Sequence, residues 1–324
     1  MQHDRRTLER IRTQYLNGTA GNADYWQSAD DLAAYDATFA QRIGWKWNAV
    51  LNDLDRLEWK PPAGAPLIDI GCGSGIASRT VLRHYGSASF ASVHLHDRSP
   101  LAMRYAAESI TAGFAVHVTQ TAEYNTETLP VMPSDAVVVL SHILTELTAV
   151  QAESVVRSIA NAAAVLWVEP GTQTASNRLV AVRTMLQPQF GIVAPCTQQC
   201  ECPMNNPVNA RHWCHAFAAP PAEAFTESGW SQFADDFGID LSRLAYSHCI
   251  FDKRAEYHTA TAEYRILGTP NVTSADAVAC VCNGATVSEI IAAKKRAPSL
   301  YKALKKGNTD TPRALNLHGR NVVE

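Results

Sequence analysis

An excess of one charge is missing from this 324-residue chain: Lys and Arg total 28 against 31 for Asp and Glu, a net charge of −3. A protein that coats nucleic acid by bulk charge needs concentrated cations, so that class is excluded, although a local basic patch is not. Long apolar runs are missing too. The longest, such as Ala162 to Val168, fall far short of the ~20 residues that a membrane helix needs, so no membrane partner is expected. The opening MQHDRRTLER has no apolar secretory segment. Asp4 and Glu9, interspersed with Arg5, Arg6, Arg10 and Arg12, argue against a mitochondrial presequence. The expectation is a soluble, intracellular protein, monomeric when free, without internal repeats. What the chain does have is 46% apolar and 18% charged residues, enough to bury a sizeable core. It also has eight cysteines, six of them in two tight groups. In a reducing compartment clustered cysteines read as metal ligands sooner than as disulfides.

The hydrophobic pattern divides the chain. Residues 1–60 carry apolar anchors, among them Trp26, Leu32, Phe39, Ile43 and Trp47, at the three- and four-residue spacing of helices. From Leu67 short apolar strands alternate with helices: strands at 67–70, 91–97, 114–120, 135–141 and 164–170, helices at 77–85, 100–113 and 151–163. That rhythm predicts an α/β fold with a parallel, doubly wound sheet over residues 61–193. A Cys-, Pro- and Asn-rich segment follows at 194–222. Strands at 244–252, 263–268 and 277–282 are expected to complete the sheet within 223–290, and 291–324 is a basic tail.

LIDIGCGSG (67–75) runs from a strand straight into Gly71, Gly73 and Gly75 and then a helix. Glycines permit the tight turn and let backbone approach a ligand, and the helix N-terminus offers unpaired N–H groups. An ordinary strand–loop–helix turn is the plain alternative. Two acids favour a ligand: Asp69 precedes the first glycine, and Asp97 ends the next strand, where a carboxylate takes the ribose hydroxyls of a nucleoside. The G-x-G-x-G spacing departs from the G-x-G-x-x-G of dinucleotide folds, and no Lys-Ser/Thr follows to make a P-loop.

This pattern, with the later HDRSP, resembles the first motif and the strand-two acid of class I methyltransferases that use S-adenosylmethionine. The resemblance implies that Asp69, Gly71, Gly73 and Gly75 line the methionine end and Asp97 the ribose, with Ser141 at the edge of the pocket. The Asn/Asp-Pro-Pro-aromatic tetrad of amine methyltransferases is absent after the strand at 135–141, which reads Ser141-His142-Ile143-Leu144-Thr145-Glu146. His142 or Glu146 as a general base competes with a structural role for either. The only Pro-Cys dipeptide, Pro195-Cys196, lies inside the cysteine group.

Cys196, Cys200, Cys202 and Cys214, with His212 and His215 beside them, and the distant Cys280 and Cys282 suggest a folded metal knot, zinc or iron–sulfur. VEPGT (168–172), a downstream Arg178 or Arg183, APC-x5-CP, WCH-x-F and a late C-x-G strand together resemble the methyltransferase-like family of mitochondrial small-ribosomal-subunit assembly factors and its bacterial relatives, over roughly residues 60–305. That family holds a 4Fe-4S cluster and engages small-subunit rRNA. The resemblance implies Cys196, Cys202, Cys214 and Cys282 as ligands, with Cys200 and Cys280 free, and zinc as the alternative metal. It also implies a function in small-subunit maturation, in the mitochondrial matrix of a eukaryote or the cytoplasm of a bacterium. An active rRNA methyltransferase, or a small-molecule methyltransferase with structural zinc, are the alternatives. Residues 294–320 hold eight Lys/Arg against one acid. Lys294, Lys295, Arg296, Lys305 and Lys306 are therefore expected to contact rRNA phosphates, with Tyr301 stacking on a base.

Overall fold

The structure, a computed structural model, describes residues 4–16, 26–121, 129–196, 198–255, 263–307 and 312–324. Its elements in chain order are α1 (Arg5–Leu16), α2 (Ala29–Asp36), α3 (Phe39–Arg56), β1 (Ala65–Ile70), α4 (Ile76–Tyr85), β2 (Phe90–His96), α5 (Pro100–Gly113), β3 (His117–Gln120), β4 (Val137–Ser141), α6 (Ala149–Ile159), β5 (Ala164–Pro170), α7 (Gln173–Leu186), β6 (Gly191–Ala194), β7 (Ala216–Ala218), α8 (Glu223–Thr226), α9 (Ser228–Phe237), β8 (Leu244–Asp252), β9 (Glu263–Val272), β10 (Asp276–Cys282), β11 (Val287–Ala293), α10 (Pro298–Lys305), β12 (Arg313–Ala314), β13 (Leu317–His318) and β14 (Asn321–Val322). They form two compact units: residues 1–169 with 218–244, and residues 170–217 with 245–324. Among the described residues no helix is long and apolar enough to cross a membrane.

In the first unit the strands stand in the order β3-β2-β1-β4-β5, every pair parallel. Val137 through Leu140 and Ala164 through Val168 are fully buried, the continuous apolar run of strands covered on both faces. The chain reverses direction of winding at β1, so a crevice opens beyond the carboxyl ends of β1 and β4, the ligand position of such sheets. This is the class I S-adenosylmethionine-dependent methyltransferase architecture. The helical N-terminal segment packs on the same unit: Leu8 joins Trp230, Phe233 and Phe237 of α9 in one cluster.

In the second unit β6 and β8 pair antiparallel. A second sheet has the order β12-β9-β10-β11-β14-β13. The strands at 263–268 and 277–282, expected to complete the first sheet, belong to this second one. The reason is connectivity: short turns at Thr273–Ala275 and Asn283–Thr286 fold β9, β10 and β11 into antiparallel neighbours, which parallel strands cannot be. Nor are residues 291–307 a loose tail. α10 buries Leu300, Tyr301 and Leu304 against Ile266, Val281 and Ile290, and Glu324 accepts the amides of Ser299 and Leu300 at its N-terminus. Residues 308–311, within the basic tail expected at 291–324, lie outside the described residues.

Candidate functional site

Two sites emerge, one in each unit. The first is built by the turn after β1. Gly71 and Gly75 hold φ of +72° and +78°, where a side chain is strained. At Gly71 a Cβ would stand 2.4 Å from Ile143 Cγ2, and at Gly75 2.9 Å from Ala106 Cβ. The turn is fastened to the end of β2: Gly71 N donates to His96 O at 2.7 Å, and Gly73 N to Asp97 Oδ2 at 2.9 Å. The other oxygen of Asp97 accepts the Ser99 amide at 2.9 Å. Asp97 thus fixes the glycine turn from the end of β2. Asp69 is completely buried; one oxygen accepts from Ser78 Oγ at 2.6 Å, and the other accepts nothing among the described residues. Burial, with Asp97 adding repulsion, pushes its carboxyl up to about 7.

The loop after β4 closes the crevice. Ser141 Oγ accepts Trp47 Nε1 at 2.9 Å. His142 takes the left-handed backbone, φ +59°, and burial beside Lys46 and Arg42 holds its imidazole well below the usual range, hence neutral. Its Nε2 is buried without a hydrogen-bond partner among the described residues. Glu169, completely buried at the end of β5, gathers three donors on one oxygen: the amides of Ile143 and Leu144 at 3.1 and 3.0 Å and Trp167 Nε1 at 2.8 Å. Burial raises Glu146 to about 7 and lowers Lys46 to about 7. Glu169 was not singled out from sequence, although an acid in the otherwise apolar LWVEP run was the available signal.

The second site gathers cysteines from β10 and the loop between β6 and β7. Cys202 is buried and pushed up to about 12, by burial first and then by Cys196 and Cys214. Cys282 is pushed up to about 12 by burial, Cys214 and Cys196. These four thiols therefore share one electrostatic neighbourhood. Cys280 and Cys282 do lie on one face of β10, as alternation requires, yet they meet different partners: Cys280 Sγ lies 3.5 Å from His212 Nδ1, while Cys282 Sγ accepts the Gly284 amide at 3.2 Å. Cys200 is exposed and donates to Gln198 Oε1 at 3.2 Å. A further thiol, Cys249 of β8, is buried under the influence of Cys196, Cys214 and Cys202; its place in an apolar strand gave no signal. Among the described residues, no three His, Cys, Asp or Glu side chains converge as ligands of a single ion.

Side chains hold this loop in place. Gln198 Nε2 donates to Asn283 O at 2.7 Å, and Gln199 pairs with both backbone groups of Ile192 at 2.8 Å. Arg183 Nε donates to Cys196 Sγ at 3.3 Å and Arg265 Nη1 to Cys214 Sγ at 3.4 Å. In the WCH run, Trp213 stacks on His215 at 4.7 Å and donates to Gly171 O. Lys294, Lys295, Arg296, Lys305 and Lys306 are all exposed, at the two ends of α10. Tyr301 is not: it is 5% exposed, and its hydroxyl donates to Thr273 O at 2.7 Å, so the expectation that it stacks on a base is corrected. Its ring fills the core that α10 closes.

Residues 30–309 match the model of a protein family described as mitochondrial small ribosomal subunit Rsm22. No curated protein matches the chain. Similar solved structures include the plantazolicin methyltransferase BpumL with S-adenosylhomocysteine (10% identity, 76% of this chain and 99% of that one, TM-score 0.41). The N-methyltransferase NodS from Bradyrhizobium japonicum, with the same ligand, has 13% identity, coverage of 63% and 86%, and a TM-score of 0.38. A methyltransferase from Leishmania major has 11% identity, coverage of 64% and 72%, and a TM-score of 0.37.

Proposed function

The chain belongs to the mitochondrial small ribosomal subunit Rsm22 family, and from that premise we propose that it is a maturation factor that binds small-subunit rRNA, carrying S-adenosylmethionine in its first unit and a 4Fe-4S cluster in its second. The observation that carries the reading is the extent of the family match, residues 30–309, which takes in both the glycine turn and the cysteine loop. In this reading the protein acts in the matrix of a eukaryotic mitochondrion or the cytoplasm of a bacterium, as a monomer until it meets the particle.

S-adenosylmethionine suits the first site. Gly71, Gly73 and Gly75 leave three positions of the turn without a side chain, Ser141 closes the edge, and Asp97 takes the ribose hydroxyls. The unsatisfied oxygen of Asp69 suits the cofactor's ammonium group. The cysteine site suits a thiolate-bound centre, because two guanidinium groups already aim N–H donors at Cys196 and Cys214. Cys196, Cys202, Cys214 and Cys282 would hold the cluster, whose four irons span more widely than one zinc ion, and the centre would supply structure to the loop. The loop after β4 favours assembly over methyl transfer. Its amides are committed to Glu169, Ile143 sits over Gly71, and His142 is turned into a buried position. Lys294, Lys295, Arg296, Lys305 and Lys306 would lie along rRNA phosphates.

Co-sedimentation tests the reading. Tagged full-length protein should travel with small-subunit particles, and more strongly with immature ones, while showing no methyl transfer to them from labelled S-adenosylmethionine. Label appearing in the rRNA would make it an active methyltransferase. Absence from the particles would end the ribosomal reading.

A further inference from the structure

Two guanidinium groups are buried in the second unit with no carboxylate paired to them among the described residues. Arg183 is 3% exposed and Arg265 9% exposed. Within the described residues neither makes an ion pair at 4.0 Å or less with Asp or Glu. Each places an N–H on a cysteine sulfur instead, Arg183 on Cys196 at 3.3 Å and Arg265 on Cys214 at 3.4 Å. The acidic groups that act on them are thiols: Cys196, Cys249 and Cys202 on Arg183, and Cys214, Cys196 and Cys282 on Arg265. Arg183 also donates to Cys200 O at 2.6 Å and Gln187 Oε1 at 3.0 Å. Arg265 stands opposite Cys282 across the β9–β10 ladder.

A buried charge without a counter-charge is costly, and neutral thiols supply none. Four thiolates around a dipositive core, iron–sulfur or zinc, are left with two negative charges, and two buried cations match that sum. We propose that Arg183 and Arg265 are the counter-ions of a doubly negative, thiolate-bound metal centre: positioning residues that orient Cys196 and Cys214, neutralise the centre and set its reduction potential. The proposal rests on the reading that these cysteines hold such a centre. It assigns to the arginines a role that hydrogen bonding alone does not require. Reduction adds an electron to an already negative centre, so removing a nearby cation disfavours the reduced form and moves the potential to more negative values.

The test uses full-length protein purified without oxygen, with iron, sulfide and zinc measured per chain. Arg265 is the cleaner of the two, its described hydrogen bond being to Cys214 alone. Arg265→Met removes charge and donor, Arg265→Gln keeps a donor without charge, and Arg265→Lys keeps the charge. The expected result is a potential lowered in the Met and Gln variants and restored in Lys, with bleaching in air roughly tenfold faster in the first two. With the centre stripped by chelator the order of stability should invert, Met becoming at least as resistant to urea as the parent, because the unloaded protein buries an unanswered cation. If the Met variant does not fold, the Gln–Lys pair carries the same contrast. If the parent holds zinc only, chelator competition replaces potentiometry, and the Met and Gln variants should bind zinc roughly tenfold more weakly. A loaded protein whose potential, bleaching and metal affinity ignore the charge at position 265 overturns the proposal alone. A parent free of iron and zinc overturns the metal reading and the proposal with it.

Discussion

The glycine turn of the first unit and the cysteine loop of the second are held by different means. The turn is backbone geometry: positive-φ glycines, amides fastened to His96 O and Asp97, and a parallel strand on either side of β1. Its shape is set by the sheet before any ligand arrives. The cysteine loop has little regular structure between Ala194 and Ala216 and hangs on side chains, Gln198, Gln199, Arg183 and Arg265. Two of those four are cations without a carboxylate partner among the described residues. The difference teaches that one site is fixed by main-chain geometry, while the other depends on a few long side chains that reach across the loop.

Removing metal should break that symmetry most visibly. After anaerobic chelation, hydrogen exchange should show residues 194–217 losing protection first, with β1 and the glycine turn unchanged; bound structural metal contributes on the order of 10 kcal/mol in small metal-folded peptides. Serine at Cys196, Cys202, Cys214 or Cys282 should bleach a brown protein, whereas Cys200→Ser and Cys280→Ser should keep the colour. Uniform loss of protection in both units would erase the contrast.

Single glycines test whether the turn is as pre-set as its geometry implies. Gly71→Ala meets a left-handed backbone, about 1–2 kcal/mol, and a clash with Ile143 that adds roughly 1–3 kcal/mol. Gly73→Ala meets only the first cost, since nothing lies within 4 Å of its Cβ. Chemical denaturation should rank them in that order. Asp97→Ala should lower S-adenosylmethionine affinity by calorimetry at least roughly tenfold, given about 1.5–3 kcal/mol for each bond to a charged acceptor. Freeing the Gly73 amide should also raise exchange there.

A further effect comes from pH. The Asp69 carboxyl is raised from 3.8 to about 7 in the folded protein, so between those values the folded state binds more protons than the unfolded one. Stability should therefore fall as pH rises from about 4 to 7. Asp69→Asn should flatten that slope in urea titrations followed by tryptophan fluorescence, and an unchanged slope would place the titration elsewhere. Least of all, Gln at Lys294, Lys295, Arg296, Lys305 and Lys306 should weaken RNA binding and reduce its salt slope without touching either site. Equal slopes would make these cations a solvated surface.

Sequence pattern reached the first unit much more fully than the second. The glycine turn and the apolar strands were legible because one short segment holds both the spacing and its consequence. The strand bounds 164–170 and 244–252 follow from short, predominantly apolar runs. α7 was not legible: its buried face includes Ser176 and Arg183, which interrupt the helical pattern. α10 was hidden by its lysines, so Leu300, Tyr301 and Leu304 read as part of a charged segment. The cysteines announced themselves by spacing, but the residues that steady them did not. Arg265 comes beside Cys282 only through the register of β9 on β10, and Glu169 meets Ile143 and Leu144 only once β5 lies beside β4.

The hydrogen bond from Gln198 to Asn283 joins positions 85 residues apart. During synthesis, the loop with Cys196, Cys202 and Cys214 leaves the ribosome long before the strand that anchors it. By the time residue 244 is made, every residue of the first unit has been synthesised, while the cysteine loop still waits for β10. A chain stopped between residue 244 and Arg265 has the whole glycine turn and the loop's own contacts from Arg183 and Gln199, but not those to Arg265 and Asn283. Completion of the second site therefore reports that translation has passed Asn283.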